Sequence, residues 1–431
     1  MLLSFSFSNF RSFQEESSLN LVPANIREIP YSVLTQKADK HYKGLCSSVI
    51  YGANANGKSN ALLAIEFLQQ LVISGNINTQ RCMPIPLAPN FHNKGVEPIS
   101  FNIRFIYKQH LIEYTVSIGG VSFLGEFKDA FIEYEVLYVN SKPQFTRVKQ
   151  KVDINYENTR LMNSANINIF EMQATESLLS DELFLTNGYK TLVNKDIYSI
   201  ILEWFQTKLI VVRNVNYVST TPKFDYDIIS DKNEGGVLLS DGIINNIAKA
   251  AGIDTSEIHF EKSDKEAKPQ AVSFIDGKGV VARFIESAGT MKMINFIPLV
   301  ISVMVNGGTL IVDELDSSLH PSAVFSIVNA FHNDELNTKQ AQLIFTSHNP
   351  IYQKAKIFRR DEIKFIERED GVSKIYNLSD FGTSGENGVK NSTDIMKNYL
   401  NGSYGAIRFV DFSDVIREAI EFNFNNSGDS E

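Results

Sequence analysis

Cysteine is scarce: Cys46 and Cys82 are the only two in 431 residues. Neither stands in a CxxC pair or a Cys/His cluster of the sequence, so no zinc site is expected. A disulfide is not expected either in a reducing compartment. Basic charge is also short. Lys and Arg number 41 against 50 Asp and Glu, a formal net charge of −9. That excludes a globally basic nucleic-acid binder, although net charge does not describe any one surface. The most apolar stretch, residues 291–305, is interrupted by Lys292, Asn295 and Pro298. It is too short and too broken to span a bilayer and reads as a buried helix. The opening MLLSFSF lacks the basic start and apolar centre of a secretory signal. The expectation is a cytoplasmic protein with no membrane segment. Sustained heptads are missing, which leaves no long coiled coil, and there are no internal repeats. The balance of 43% hydrophobic and 21% charged residues is that of an ordinary globular chain with a substantial core.

What is present is an α/β pattern. Leu3, Phe5 and Phe7 alternate with serines, which predicts a strand followed by a turn near Asn9. Residues 47–51, SSVIY, form a short apolar β run that leads directly into Gly52. Residues 60–73 have the spacing of a largely buried helix. From about residue 98 to 148, aromatic and β-branched residues alternate with polar ones, predicting an antiparallel sheet. Residues 150–235 carry Asn-rich and acidic stretches, then periodic segments, and read as a helical insertion, with a further strand over 208–218. A helix is expected over 240–253 and a hairpin around Asp276-Gly277. The apolar helix, the strand TLIVDEL, a helix from Pro321, the strand QLIFTSH and a hairpin around 363–377 complete the pattern.

Three groups of residues carry chemistry. Gly52-Ala53-Asn54-Ala55-Asn56-Gly57-Lys58-Ser59 matches the P-loop pattern in full. Its glycines allow a tight loop whose backbone N–H groups wrap phosphates, and the following helix, entered at Asn60, aims its positive end there. Lys58 is expected to reach the β- and γ-phosphates and Ser59 to bind Mg²⁺. The apolar run 309–312 ends in Asp313-Glu314, a Walker B pattern. Two acids after a strand often merely cap it. Behind a full P-loop, they are expected to hold Mg²⁺ through Asp313 and to polarise the attacking water through Glu314.

The third group points to ABC-type ATPases. Asp316 begins a D-loop at the right spacing, and His348 follows the next strand in the place of a switch histidine. Glu286-Ser287-Ala288-Gly289-Thr290 precedes the helix before Walker B, in the place of a signature motif. Ser287 and Gly289 are expected to bind the γ-phosphate held by an opposite subunit. Arg11, in Asn9-Phe10-Arg11-Ser12-Phe13, is equally a phosphate contact or a surface residue. Gln69, Gln70 and Gln80 are all candidates for a Q-loop. The expected organisation is an α/β ABC-type head with a mixed sheet and an antiparallel β subdomain. Its N-terminal part spans 1–149, the insertion 150–235, the C-terminal part 236–420, and a disordered polar tail 421–431.

The set NFRSF, GANANGKSN, ESAGT, TLIVDELDSSLHP and IFTSHNP resembles the AAA-type, ABC-like ATPases near the overcoming-lysogenisation-defect nucleases. The C-terminal run FRRDEIKFIERED, with YLNGSYGAI, is similar to the RloA-like and PARIS-system ATPase subunits of anti-phage defence. The resemblance implies an Mg²⁺-dependent ATPase that pairs with itself, head to tail or in a larger homo-oligomer. It implies a separate effector, a Toprim-like nuclease, because the residues after His348 leave no room for a Toprim fold. A phage protein would be the trigger. The alternative is a DNA-maintenance ATPase, against which the acidic total and the lack of a coiled coil count.

Overall fold

The computed structural model describes residues 1–26, 29–77, 87–92, 97–121, 130–155, 177–213, 241–252, 257–261, 270–354, 357–383, 388–390, 393–408 and 411–427. Two large sheets carry the fold. The first is antiparallel, in the order β10-β9-β8-β7-β6-β1-β2. Its strands are β1 Leu2–Ser8, β2 Ser17–Asn20, β6 Ile99–Tyr107, β7 His110–Gly119, β8 Phe131–Val139, β9 Lys142–Val148 and β10 Lys151–Ile154. Alternation decides which face is buried: Leu3, Phe5 and Phe7 of β1 are buried and the intervening serines are half-exposed.

The second sheet is mixed, in the order β11-β15-β16-β5-β17-β18. It comprises β5 Ser47–Tyr51, β11 Leu209–Val212, β15 Thr309–Val312, β16 Gln342–Ser347, β17 Ile363–Glu369 and β18 Val372–Asn377. The first five strands of that order run parallel, and β18 returns antiparallel on β17. A parallel sheet is covered on both faces, so its strands are apolar throughout rather than alternating. Every residue of β5, β11, β15 and β16 is buried. The β17–β18 turn is Asp370-Gly371, both with positive φ, which suits the twist of a two-residue hairpin.

Helix α1, Lys58–Ser74, lies between the two sheets, and its side chains, Phe67 among them, share one core with Phe5, Phe101 and Ile344. Most of its length is buried, as expected for a helix covered on opposite sides. Buried Gln342 helps to stitch the sheets together. Its amide donates to Leu2 O at 3.0 Å and Leu45 O at 2.8 Å, and its carbonyl accepts from Leu2 N at 2.6 Å.

Residues expected as an insertion contribute to both sheets. β10 pairs with β9, and β11 lies beside β15 in the mixed sheet. Between them, α2, Lys195–Glu203, is capped by Asn194. Residues 156–176 and 214–240 of that span lie outside the described residues.

A smaller sheet, β12 Glu257–Glu261, β13 Gln270–Ile275 and β14 Lys278–Val281, packs with α3, Asp241–Ala250. The expected β13–β14 hairpin is present, with Asp276 and Gly277 at positive φ. β3, Val33–Lys37, and β4, His41–Leu45, form a separate ribbon. On the outer face of the mixed sheet sit α4, Ala288–Asn306, and α5, Pro321–His332. α4 is long and apolar enough to cross a membrane by length and composition. Here it packs on the sheet, with Phe296, Leu299, Val300 and Val303 in the core. Two further helices follow, α6 Ile395–Leu400 and α7 Ser413–Ser427. The tail expected to lack structure from residue 421 is therefore helical to Ser427. Ile416, Ile420 and Phe422 give that segment the apolar spacing of a helix.

Candidate functional site

Parallel strands place all their carboxyl ends on one edge, and ligands of open α/β sheets bind there. Gly52 leaves β5, Asp313 and Glu314 leave β15, and His348 leaves β16. These ends adjoin a cavity of about 330 Å³ lined by Asn54, Ala55, Gly57, Lys58, Ser59, Asn60, Glu314, His348 and Arg368.

The loop from Gly52 to Ser59 is held from outside. Gly52 approaches β17 so closely that a Cβ there would stand 2.6 Å from Ile366 O. The buried Asn56 donates from Nδ2 to the same carbonyl at 2.9 Å. Asn56 therefore anchors the loop and is not among the cavity-lining residues. Ser373 Oγ donates to Asn56 O at 2.6 Å, and Ala53 N donates to Ala406 O at 2.8 Å. Gly57 has φ 110° and a tight setting, since a Cβ would meet Ser373 Oγ at 2.7 Å and Ser12 Oγ at 2.8 Å.

α1 begins at Lys58 with no side-chain cap and no acid in its first turn. Its first N–H groups and positive dipole end are left to whatever occupies the cavity. Lys58 Nζ donates to Gly52 O at 2.7 Å and Ala53 O at 3.2 Å, and lies 3.5 Å from His348 Nδ1. Burial lowers the Lys58 ammonium to about 8, a shift opposed by Asp313, Glu314 and Asp316.

Across the cavity, Glu314 is exposed and its Oε1 lies 3.6 Å from His348 Nε2. Its backbone is left-handed, with φ 50°, an unusual state for a residue with a side chain. Thr346 Oγ1 fixes it by accepting from Glu314 N at 2.7 Å, while donating to Asp313 Oδ1 at 2.6 Å.

Gly52, Ala53 and Asp313 border the cavity without lining it, and four further expected residues stand elsewhere. Arg11 does not line the cavity. Asn9 and Arg11 both have positive φ, and the Arg11 guanidinium lies over the Phe10 ring, 5.6 Å from its centroid. The neighbouring Ser12 makes the connection instead, accepting from Asn60 Nδ2 at 2.9 Å. Asp316 accepts from Ser347 Oγ at 2.8 Å and Asn349 N at 3.2 Å within its own chain. Ser287 caps α4, accepting from Thr290 N at 3.1 Å, and Gly289 lies against the backbone of Ser318.

Sequence reasoning also missed residues. Arg368 of β17 adds a second cation to the cavity, donating to Ala55 O at 3.2 Å and Gly371 O at 3.1 Å. Of the Q-loop candidates, Gln69 is buried and donates to Phe205 O and Leu209 O, so it ties α1 to the approach of β11. Gln80 and Cys82 lie outside the described residues. Cys46, isolated in the sequence, meets His332 and Glu362 in space. Ser47 Oγ bonds both His332 Nε2, at 2.9 Å, and Glu362 Oε1, at 2.7 Å. Burial, then the Glu362 charge, pushes the Cys46 thiol well above its ordinary value. The cluster is a hydrogen-bonded node at the end of β5 opposite the P-loop.

A loop of backbone N–H groups, an uncapped helix start, two cations and a nearby carboxylate pair suit a phosphate-bearing ligand. The profile of a family described as "AAA domain, putative AbiEii toxin, Type IV TA system" matches residues 254–351, from before β12 to just past His348. No curated protein matches the chain in sequence. Among solved structures, the chain is similar to the SMC head domain from Thermotoga maritima at 14% identity and a TM-score of 0.37, covering 87% of this chain and 98% of that one. It is similar at the same TM-score to an SMC head bound to the C-winged helix domain of ScpA, at 10% identity over 87% and 97% of the two chains.

Proposed function

We propose that this chain is an ABC-type ATP hydrolase acting between paired copies of itself in the cytoplasm. The observation that carries the reading is the single cavity uniting Lys58, Ser59, Glu314 and His348 from three strand ends. Lys58, Arg368 and the start of α1 supply positive charge for the phosphates of ATP. The Ser59 hydroxyl and the Asp313 carboxylate are the hard oxygen donors that Mg²⁺ takes. When bound, Mg²⁺ would neutralise charge on the phosphate oxygens. Glu314 orients the attacking water and accepts its proton at a carboxylate oxygen, and His348 Nε2 holds that carboxylate in place.

The proposed site is incomplete in one copy. Ser287 is exposed, and neither it nor Gly289 lines the cavity of its own chain. Both are free to face the cavity of a second copy. Mixing Lys58→Ala with Ser287→Arg subunits tests this arrangement. Each variant alone is expected to be inactive, and the mixture to regain part of the wild-type rate, because a mixed pair holds one intact composite site. No recovery, with subunit exchange demonstrated, counts against action between copies.

The finer part of the reading is control of a separate effector, a Toprim-like nuclease, in response to a phage protein. The resemblance of the NFRSF, GANANGKSN and IFTSHNP segments to defence ATPases supports it. The region from Arg359 onward is the favoured docking surface, since the effector follows the ATPase there in related single-chain nucleases. α7 lies within it, with Val415, Ile416 and Ile420 exposed. The product of the neighbouring gene is expected to co-purify and to be needed for protection in phage plating. Full protection by this chain alone, with no partner captured in any nucleotide state, sinks the two-component reading.

A further inference from the structure

We infer that Lys292 is a positioning residue that clamps the turn carrying Glu314 to the start of α4, so that engagement of the Ser287–Gly289 loop sets the geometry of Glu314. The inference rests on the hydrolytic reading of Glu314 given above.

Lys292 lies one turn into α4 and is 5% exposed. Among the described residues, its ammonium reaches no carboxylate in hydrogen-bonding range. It donates instead to two backbone carbonyls of the turn after β15, Glu314 O at 3.0 Å and Ser317 O at 2.7 Å. That turn needs holding, because both Glu314 and Ser318 have positive φ, 50° and 63°. With Thr346 taking the Glu314 N–H and Lys292 the Glu314 carbonyl, the backbone is fixed on both sides. The carboxylate stays exposed toward His348.

A second contact presses the same two elements together. A Cβ on Gly289 would stand 2.5 Å from Ser318 O, so the first turn of α4 touches the same turn one residue past the Ser317 carbonyl that Lys292 grips. Helix start and turn therefore move as one body. Ser287, at one end of that body, is exposed without lining the cavity, and Glu314, at the other end, lines it. An apolar residue would fill the Lys292 site without desolvating a charge. Burial does lower the Lys292 ammonium to about 8, against the pull of Asp316 and Glu314. A charge placed there at that cost, and spent on carbonyls of one turn, acts on the shape of the turn.

The test is Lys292→Met in the full-length chain. Turnover is expected to fall by up to about 10²-fold, the scale of a catalytic group displaced by an ångström, while the Kd of a fluorescent ATP analogue stays unchanged. Lys292→Gln, which keeps a donor, is expected to fall between, and serves if the Met variant does not fold. Combined with Glu314→Gln, the Lys292 change is expected to add little, because both act through one carboxylate. A folded Lys292 variant with wild-type turnover overturns the inference, as does an equal loss of turnover and binding, or full additivity with Glu314→Gln. If Glu314→Gln itself turns over at the wild-type rate, the hydrolytic reading fails instead.

Discussion

Glu314→Gln is expected to bind ATP with unchanged affinity and to hydrolyse it about 10²–10⁴-fold more slowly, the usual scale of a lost general base. The amide keeps the shape of the carboxylate, and the backbone bonds from Thr346 and Lys292 do not depend on the side chain. The change therefore removes proton acceptance and little else. A chain that holds ATP without consuming it should accumulate in its paired form. Light scattering after size exclusion is expected to show a larger species with ATP than without, and the wild type to return to the smaller species as ATP is used. A variant that consumes ATP at the wild-type rate removes Glu314 from the catalytic position.

Lys58→Ala is expected to lower kcat/KM by at least about 10²–10³-fold, the scale of removing one preorganised donor from developing charge. Its stability is expected to move the other way. Burial lowers the Lys58 ammonium to about 8, the sign of a charge held less comfortably in the fold than in water. Near pH 7 the lysine is charged in both states, so its removal relieves that cost. The melting temperature in the absence of nucleotide is expected to stay level or rise, as for other residues that serve activity at the expense of the fold. Wild-type turnover in this variant sinks the P-loop assignment. A large fall in melting temperature with partial activity shows that Lys58 mainly braces its own loop through Gly52 O and Ala53 O.

The sequence was most legible where the chemistry is local. The P-loop is one contiguous run between a strand and a helix, and its spacing alone places Gly57, Lys58 and Ser59. Glu314 and His348 follow apolar strands whose parallel pairing puts both at the same edge. The antiparallel sheet was legible through its alternation, and both hairpins through Asp-Gly turns.

Contacts between distant segments left no such trace. Arg368, Ser12 and Ser373 are ordinary residue types, and they matter only because β17, β18 and the turn after β1 close around the loop. Arg11 drew attention in the sequence, but the left-handed backbone there turns it over Phe10 and leaves the contact to Ser12. Lys292 reads as a flaw in an apolar helix until its partners, the carbonyls of Glu314 and Ser317, are seen. Cys46, His332 and Glu362 come from three parts of the chain, so no local pattern announces them. In the 150–235 span, β11 is a four-residue strand without alternation, and only its partner β15 shows that it belongs to the mixed sheet.

The order of strands also bears on how the chain is made. β5 sits between β16 and β17, and both neighbours come far later in the chain. Roughly 300 residues must be synthesised after the P-loop before its strand has both partners, about 15–60 s at ribosomal rates. Throughout that interval β5 is an apolar segment with two open edges, a template for wrong pairing. The N-terminal antiparallel sheet can form meanwhile, since its strands end by Ile154, and it gives α1 one surface to rest on. The proposed nucleotide site itself has no early form. Its cavity is closed only once Glu314, His348 and Arg368 have been made, so a ribosome-bound chain is not expected to engage ATP before then.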